Sequence, residues 1–210
     1  AWWAAQRMGS RILTVTPPTE GISRTLAAER AANITSVRYA LTLAVPARVQ
    51  DPVKGSVTIR LRLADRSPLY LDFGQPASHV SSVAANGHLV PIRSEKGHLI
   101  IPADALTRGE NTVDIAFTAG DPALNRNDEY LYSLFVPSRA SQTFPCFDQP
   151  DIKAALSLTL EIPSGWVAVA NGPEIGRNTA GDRTTIRFSQ TPALSTYLLG
   201  FAAGRFAVER

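Results

Sequence analysis

The sequence predicts an all-β domain of several mixed sheets packed as a sandwich, with one short helix near its N-terminus. Three observations carry that expectation. Apolar residues recur at every second position through most of the chain, as strands with one buried face require. Fifteen prolines and 14 glycines in a chain that is 44% hydrophobic imply short elements joined by tight turns rather than a helical bundle. Two Asn-Gly pairs, Asn86-Gly87 and Asn171-Gly172, mark sharp reversals. With 210 residues the chain can bury one substantial core, so the expected organisation is an N-terminal arm over residues 1–22 and a single β-rich domain over 23–210.

The arm carries Trp2 and Trp3, read as a docking anchor, and then Pro17-Pro18, which favours an extended connector. Ser23 can cap a helix running to about Ala32, formed by Leu26, Ala27 and Ala31 and packed on the sheet that follows. Val37, Tyr39, Leu41, Leu43 and Val45 then alternate with polar or small residues, as do Val57, Ile59, Leu61 and Leu63; the two strands pair around Asp51-Pro52 and Gly55. Leu69, Leu71 and Phe73 form a short strand, and Asn86-Gly87 closes a hairpin between residues 80–84 and 89–92. Leu99 and Ile101, a turn over 106–111, and Val113, Ile115 and Phe117 complete the first half. In the second half Leu156, Leu158, Leu160 and Ile162, then Val167 and Val169, then Thr184, Ile186 and Phe188 mark three further strands. Residues 197–206 are apolar on both faces, which predicts a strand covered on both sides.

The net charge of +3 is spread over single basic residues, with no stripe of the kind that binds nucleic acid. No apolar run reaches the roughly 18 residues of a membrane span, and Ala1-Trp2-Trp3 lacks the basic-then-apolar order of a signal peptide. Cys146 is the sole cysteine, so neither an internal disulfide nor a Cys-x-x-Cys metal knuckle can form. The compartment is left open between a bacterial-type cytoplasm and the periplasm. His79, His88 and His98 are spaced too widely for one helix face, and are read as surface residues beside turns. Cys146, between Pro145 and Phe147, reads as a small packing residue rather than a nucleophile. No metal site and no catalytic centre is expected in this chain.

Residues 121–151 stop looking generic. A polar loop holding Asn125, Asn127 and Asp128 leads into the apolar run Tyr130, Leu131, Tyr132, Ser133, Leu134, Phe135, Val136, Pro137, and polar loops beside buried aromatic strands often line sites. Phe144-Pro145-Cys146-Phe147-Asp148-Gln149-Pro150 follows, stiffened by its two prolines, with Asp148 placed to accept hydrogen bonds from free backbone N–H groups.

That seven-residue run resembles the Phe-Pro-Cys-Phe-Asp-Glu/Gln-Pro signature in the N-terminal domain of aminopeptidase N-like zinc peptidases. The resemblance continues through residues 34–43, 106–111, 166–172 and 190–201, in the family's order. It implies a saddle-like β domain packed against a thermolysin-like catalytic domain that removes N-terminal residues from peptides. Zinc held there by a His-Glu-x-x-His motif and a further glutamate would activate water. Neither that motif nor the family's Gly-x-Met-Glu-Asn occurs in these 210 residues. The implied partners are therefore the protein's own catalytic domain and a peptide substrate. The family's domain also lends the cleft a Gln or Glu, whose position falls here on Val136, with Leu134 at a second polar position. Either the missing domain holds the substrate amine alone, or a small shift brings Ser133, Ser138 or Gln142 into reach. The expected cleft loop is Leu134, Phe135, Val136 and Pro137, with residues 144–150 as its structural support. The alternative is an interaction module that kept the fold without the chemistry. A carbohydrate-binding sandwich would need an exposed row of aromatics, which the sequence shows only as scattered residues.

Overall fold

The computed structural model describes residues 19–207. Residues 1–18, with Trp2, Trp3 and the Pro17-Pro18 pair, lie outside them, as do 208–210. Helix α1 spans Arg24–Asn33, capped by Ser23, whose Oγ accepts from Leu26 N at 3.1 Å. The strands are β1 (Ile34–Ala44), β2 (Lys54–Leu63), β3 (Leu69–Asp72), β4 (Val80–Ala85), β5 (His88–Leu89), β6 (Ser94–Glu95), β7 (His98–Ile101), β8 (Gly109–Thr118), β9 (Leu124–Arg126) and β10 (Tyr130–Ser133). Beyond the 144–150 corner come β11 (Ala155–Pro163), β12 (Val167–Ala170), β13 (Glu174–Ala180), β14 (Arg183–Phe188) and β15 (Phe201–Gly204).

An eight-stranded sheet runs β13-β14-β11-β1-β2-β8-β4-β5, a four-stranded sheet runs β12-β15-β10-β9, and a three-stranded sheet runs β3-β7-β6. Alternation explains why they share one core. Leu41, Leu43, Val57, Ile59, Val113 and Leu158 point in from the large sheet, Leu71 and Leu99 from the smallest, and Leu131 and Ala203 from the third. The fold is all-β with mixed sheets and one short helix, as the alternation predicts. The Asn86-Gly87 reversal has φ of 51° and 81°, both positive as a type I′ turn demands, and Lys96-Gly97 repeats it between β6 and β7 at 50° and 81°.

Five details differ from the sequence reading. The sequence reading joined neighbouring strands as hairpins and did not foresee the parallel pairing of β1 with β11, Leu41 facing Leu158. Strand β13 is an edge strand with no buried residue, so it has no apolar period to read. Strand β8 begins at Gly109, inside the expected turn, because Gly109 and Leu63 already pair. Residues 197–206 are not one strand: Thr196–Leu198 forms a 3₁₀ turn, and only β15 is extended, central in its sheet between β12 and β10. The apolar run from Tyr130 likewise leaves the sheet after Ser133.

Candidate functional site

The 144–150 corner is bound on every side. Asp72 N donates to Cys146 O at 2.7 Å and Cys146 N to Asp72 O at 3.1 Å, so the corner adds a bridge to the end of β3. Phe147 N donates to the Tyr39 hydroxyl on β1 at 2.9 Å, and Gln149 Nε2 donates to Ala27 O on α1 at 3.1 Å. The Asp148 carboxylate, buried, accepts Ser141 N at 3.0 Å and Thr196 Oγ1 at 2.9 Å, satisfying groups that the chain reversals leave free. Ser195 Oγ donates to Pro150 O at 2.5 Å. Phe144, Cys146 and Phe147 are wholly buried.

Beneath the corner lies an ion cluster. Arg30 on α1 grips Asp72 with two nitrogens, Nη1 to Oδ2 at 2.9 Å and Nη2 to Oδ1 at 2.7 Å, and its guanidinium sits 5.5 Å from the centre of the Phe147 ring. Asp72 Oδ2 also accepts Asp148 N at 2.8 Å. His98 Nδ1 stands 2.9 Å from Asp72 Oδ1 but off the axis of a directed hydrogen bond, so the contact is an ion pair. Burial raises the Asp72 carboxyl, yet His98, Arg30 and the Asp148 N–H together outweigh it and hold that carboxyl below its ordinary value. His98 is thus no surface histidine: it is 1% exposed and faces a carboxylate, and His88 lies exposed on β5 in a different sheet.

The loop over 134–137 leaves β10 and is held by the corner. Leu134 N donates to Ala123 O at 2.8 Å, Arg139 N to Phe135 O at 2.8 Å, and the Arg139 guanidinium to Pro122 O. Gly74 N donates to Ser141 O at 2.9 Å and Gln75 Nε2 to Gln142 O at 2.8 Å. That approach requires Gly120, where a Cβ would collide with Gln142 O and the Gln75 amide. Phe135 is the inward anchor, its ring 6.0 Å from those of Phe144 and Phe201, while Leu134 and Val136 are 45% and 66% exposed and the Val136–Pro137 peptide is cis. The Ser133 hydroxyl accepts Phe201 N at 3.1 Å and Ser138 Oγ donates to Asp148 O at 3.1 Å, so both are engaged by the scaffold.

The loop borders the outer face of the four-stranded sheet. Pairing puts Asn125, Tyr132, Ala202 and Val169 in one row, and Tyr130, Gly204 and Val167 in the next. The rings of Tyr130 and Tyr132 stack 5.9 Å apart, and Val169 is 64% exposed. Opposite them on the inner face, Leu131, Ala168 and Ala203 are buried, so this sheet is apolar on both sides.

Among the described residues, no group of three or more His, Cys, Asp and Glu gathers as metal donors. Asp72 with His98 does not fit zinc either: both carboxylate oxygens are taken by Arg30, and both ring nitrogens face acceptors. Burial pushes the Cys146 thiol well up, with Asp148 and Asp72 adding to it. Native protein should therefore resist a thiol reagent that labels Cys146 fully in denaturant; rapid native labelling would contradict the packing role.

A family model, the Peptidase M1 N-terminal domain, matches residues 35–198. The chain belongs to this family. Aminopeptidase N of Streptomyces lividans is 26% identical over 202 residues, covering 90% of this chain and 23% of that protein. Aminopeptidase M1-D of Oryza sativa subsp. japonica is 42% identical over 67 residues, 32% of this chain and 8% of that protein. The crystal structure of an M1 zinc metallopeptidase from Deinococcus radiodurans superposes with a TM-score of 0.69 at 24% identity, covering 82% of this chain and 42% of that one. A two-domain M1 zinc metallopeptidase bound to L-tryptophan gives 0.67 at 26% identity, covering 82% and 43%. This chain spans less than a quarter of the length of the curated relatives named.

The sequence reading found the corner and missed the cluster beneath it. Arg30 did carry a signal, standing four residues after Leu26 on the buried face of α1, where a lone cation needs a partner. Nothing local pairs it with Asp72 on β3.

Proposed function

We propose that this chain is the non-catalytic N-terminal domain, over 23–210 with an arm over 1–22, of a zinc aminopeptidase that removes N-terminal residues from peptides. The observation that carries this reading is the family match over residues 35–198. In it, the outer face of the four-stranded sheet packs on the catalytic domain, and Leu134, Phe135, Val136 and Pro137 form one wall of the cleft. The corner residues 144–150 act as support. Zinc belongs to the catalytic domain, and none of its ligands is assigned to this chain. The longer protein should hydrolyse an aminoacyl chromogenic substrate and lose that activity to a chelator; full activity after metal removal would defeat the proposal. Val136, projecting its isopropyl group where the family places an amide or acid, favours substrates with an apolar first side chain. Val136→Gln in the longer protein should lower kcat/KM for such substrates relative to cationic ones by about 1–3 kcal/mol of discrimination, and an unchanged ratio would remove the loop from the wall.

The second reading is a protein-interaction module without peptidase chemistry, favoured by the stacked, half-buried Tyr130 and Tyr132 beside the exposed Val169. A longer protein that binds a partner through these residues and shows no metal-dependent turnover would support it.

A further inference from the structure

We propose that His98 is a proton-gated latch: doubly protonated, it holds the strap of residues 19–22 against the cleft beside the 144–150 corner, and when Nε2 gives up its proton to solvent, Nδ1 keeping its own beside the Asp72 carboxylate, it releases that strap. The argument starts from hydrogen-bond inventory. A neutral imidazole carries one N–H and one lone pair, whereas an imidazolium carries two N–H groups. His98 Nδ1 lies 2.9 Å from Asp72 Oδ1, and Nε2 lies 3.0 Å from Thr19 O and 3.1 Å from Gly21 O. All three neighbours accept only. Either neutral tautomer would leave an unprotonated ring nitrogen within about 3 Å of an acceptor oxygen in a buried site, so the proximity of the three oxygens favours the charged ring.

Gly21 makes the strap fit. Its φ of +69° turns the chain so that two carbonyls converge on one nitrogen. The strap then borders a cleft of about 360 Å3 lined by Gly21, Ile22, Lys96, Ser138, Ser141 and Gln142. This cleft opens directly behind the chain that leads from the 134–137 loop, through Ser138.

The charged and titratable groups around the ring come from every neighbouring element. Asp72 and Tyr70 lie on β3, the Tyr70 ring standing edge-on with its centre 6.4 Å from that of His98. Arg30 reaches in from α1 and already pairs with Asp72. Glu95 faces His98 across the β6–β7 pair, Lys96 and Asp148 line the same cleft, and Glu20 belongs to the strap. The Asp72 contact, the largest influence, raises the affinity of the ring for its second proton against the opposing effects of burial and of the Arg30 charge, and the Thr19 carbonyl adds to it. A raised folded value means that the latch is fully closed below the ordinary histidine value of about 6.5 and is lost as pH rises through the shifted value. The strap therefore frees on the alkaline side. The device uses only the folded domain and stands whether or not the parent is a peptidase.

Long-range proton–nitrogen NMR of the imidazole in the 210-residue chain, from about pH 5 to about pH 9, reads the ring directly. Both His98 nitrogens are expected to be protonated beyond the ordinary midpoint, with the Gly21 and Ile22 amide shifts moving at the same midpoint. Cleavage after Glu20 by a glutamate-specific protease, normalised to an unstructured peptide, should accelerate across that midpoint. His98→Phe, which keeps a ring but removes both N–H donors, should be cut several-fold faster than the native chain at low pH and show no midpoint. A neutral ring below the ordinary midpoint, strap resonances that ignore the ring titration, or equal cleavage of a folded His98→Phe variant would each overturn the latch. The ring titration needs no substitution, so a poorly folding variant leaves the test intact.

Discussion

Asp72→Ala is expected to cost the domain about 3–5 kcal/mol, the loss typical of breaking a buried ion pair from one side. The substitution leaves the Arg30 guanidinium charged, 3% exposed and without its bidentate partner, and strips the acceptor from Asp148 N. Arg30→Ala should cost as much from the other side. In many proteins an apolar replacement of both partners is nearly neutral. Here Arg30→Met combined with Asp72→Leu should still lose stability, because the acceptor of Asp148 N and the counter-charge of His98 go with the carboxylate. Acid acts on the same group. Although burial opposes ionisation, the net effect holds the Asp72 carboxyl below its ordinary value, so its contribution is present above about pH 3.9 and is lost as pH falls through the folded-state value. Urea titrations at neutral and acid pH measure both effects. A loss under about 1 kcal/mol for Asp72→Ala, at unchanged slope, would mean that the cluster does not hold the corner.

Phe144→Ala is expected to cost about 3–5 kcal/mol, through lost burial and the cavity it leaves. Its ring lies 6.1 Å from Tyr39, edge-on, and 6.0 Å from Phe135, the anchor of the 134–137 loop. The loss should therefore have a local component. Amide exchange at residues 134–137 should rise more than in β1 or β2, whereas Leu43→Ala, equally buried but in the large sheet, should destabilise the domain without that preference. Exchange that rises uniformly in both variants would disconnect the corner from the loop.

The strands were legible wherever one face is buried, because period-two alternation is a local property of the sequence. Ile34–Ala44 and Lys54–Leu63 were read over their alternating stretches, Val37 to Val45 and Val57 to Leu63, and both start three residues earlier than the alternation marks. Edge strand β13 was not, since Glu174–Ala180 is solvated on both faces and its pairing with β14 leaves no apolar mark. Asp148 was legible as an acceptor because prolines on either side of the corner limit the backbone. The Arg30, Asp72 and His98 cluster was not, since only Arg30 carries a signal in its own segment and the pairing exists only once α1, β3 and β7 are stacked. Val136 was placed by counting along the chain, and the structure adds what counting could not, that its neighbour Phe135 turns inward while Val136 faces out.

The parallel pairing of β1 with β11 has a consequence for synthesis. The first of the described strands keeps one edge open until β11 is synthesised and arrives beside it, Arg38 meeting Ala155 across 117 positions of sequence (155 − 38). Contacts of such sequence separation slow folding, and an unpaired apolar edge is a template for wrong partners in the interval. Release of the nascent chain before residue 155 would leave β1 without that neighbour, so β1, β2, β8 and β4 can pair early while the large sheet is completed only when β11 arrives.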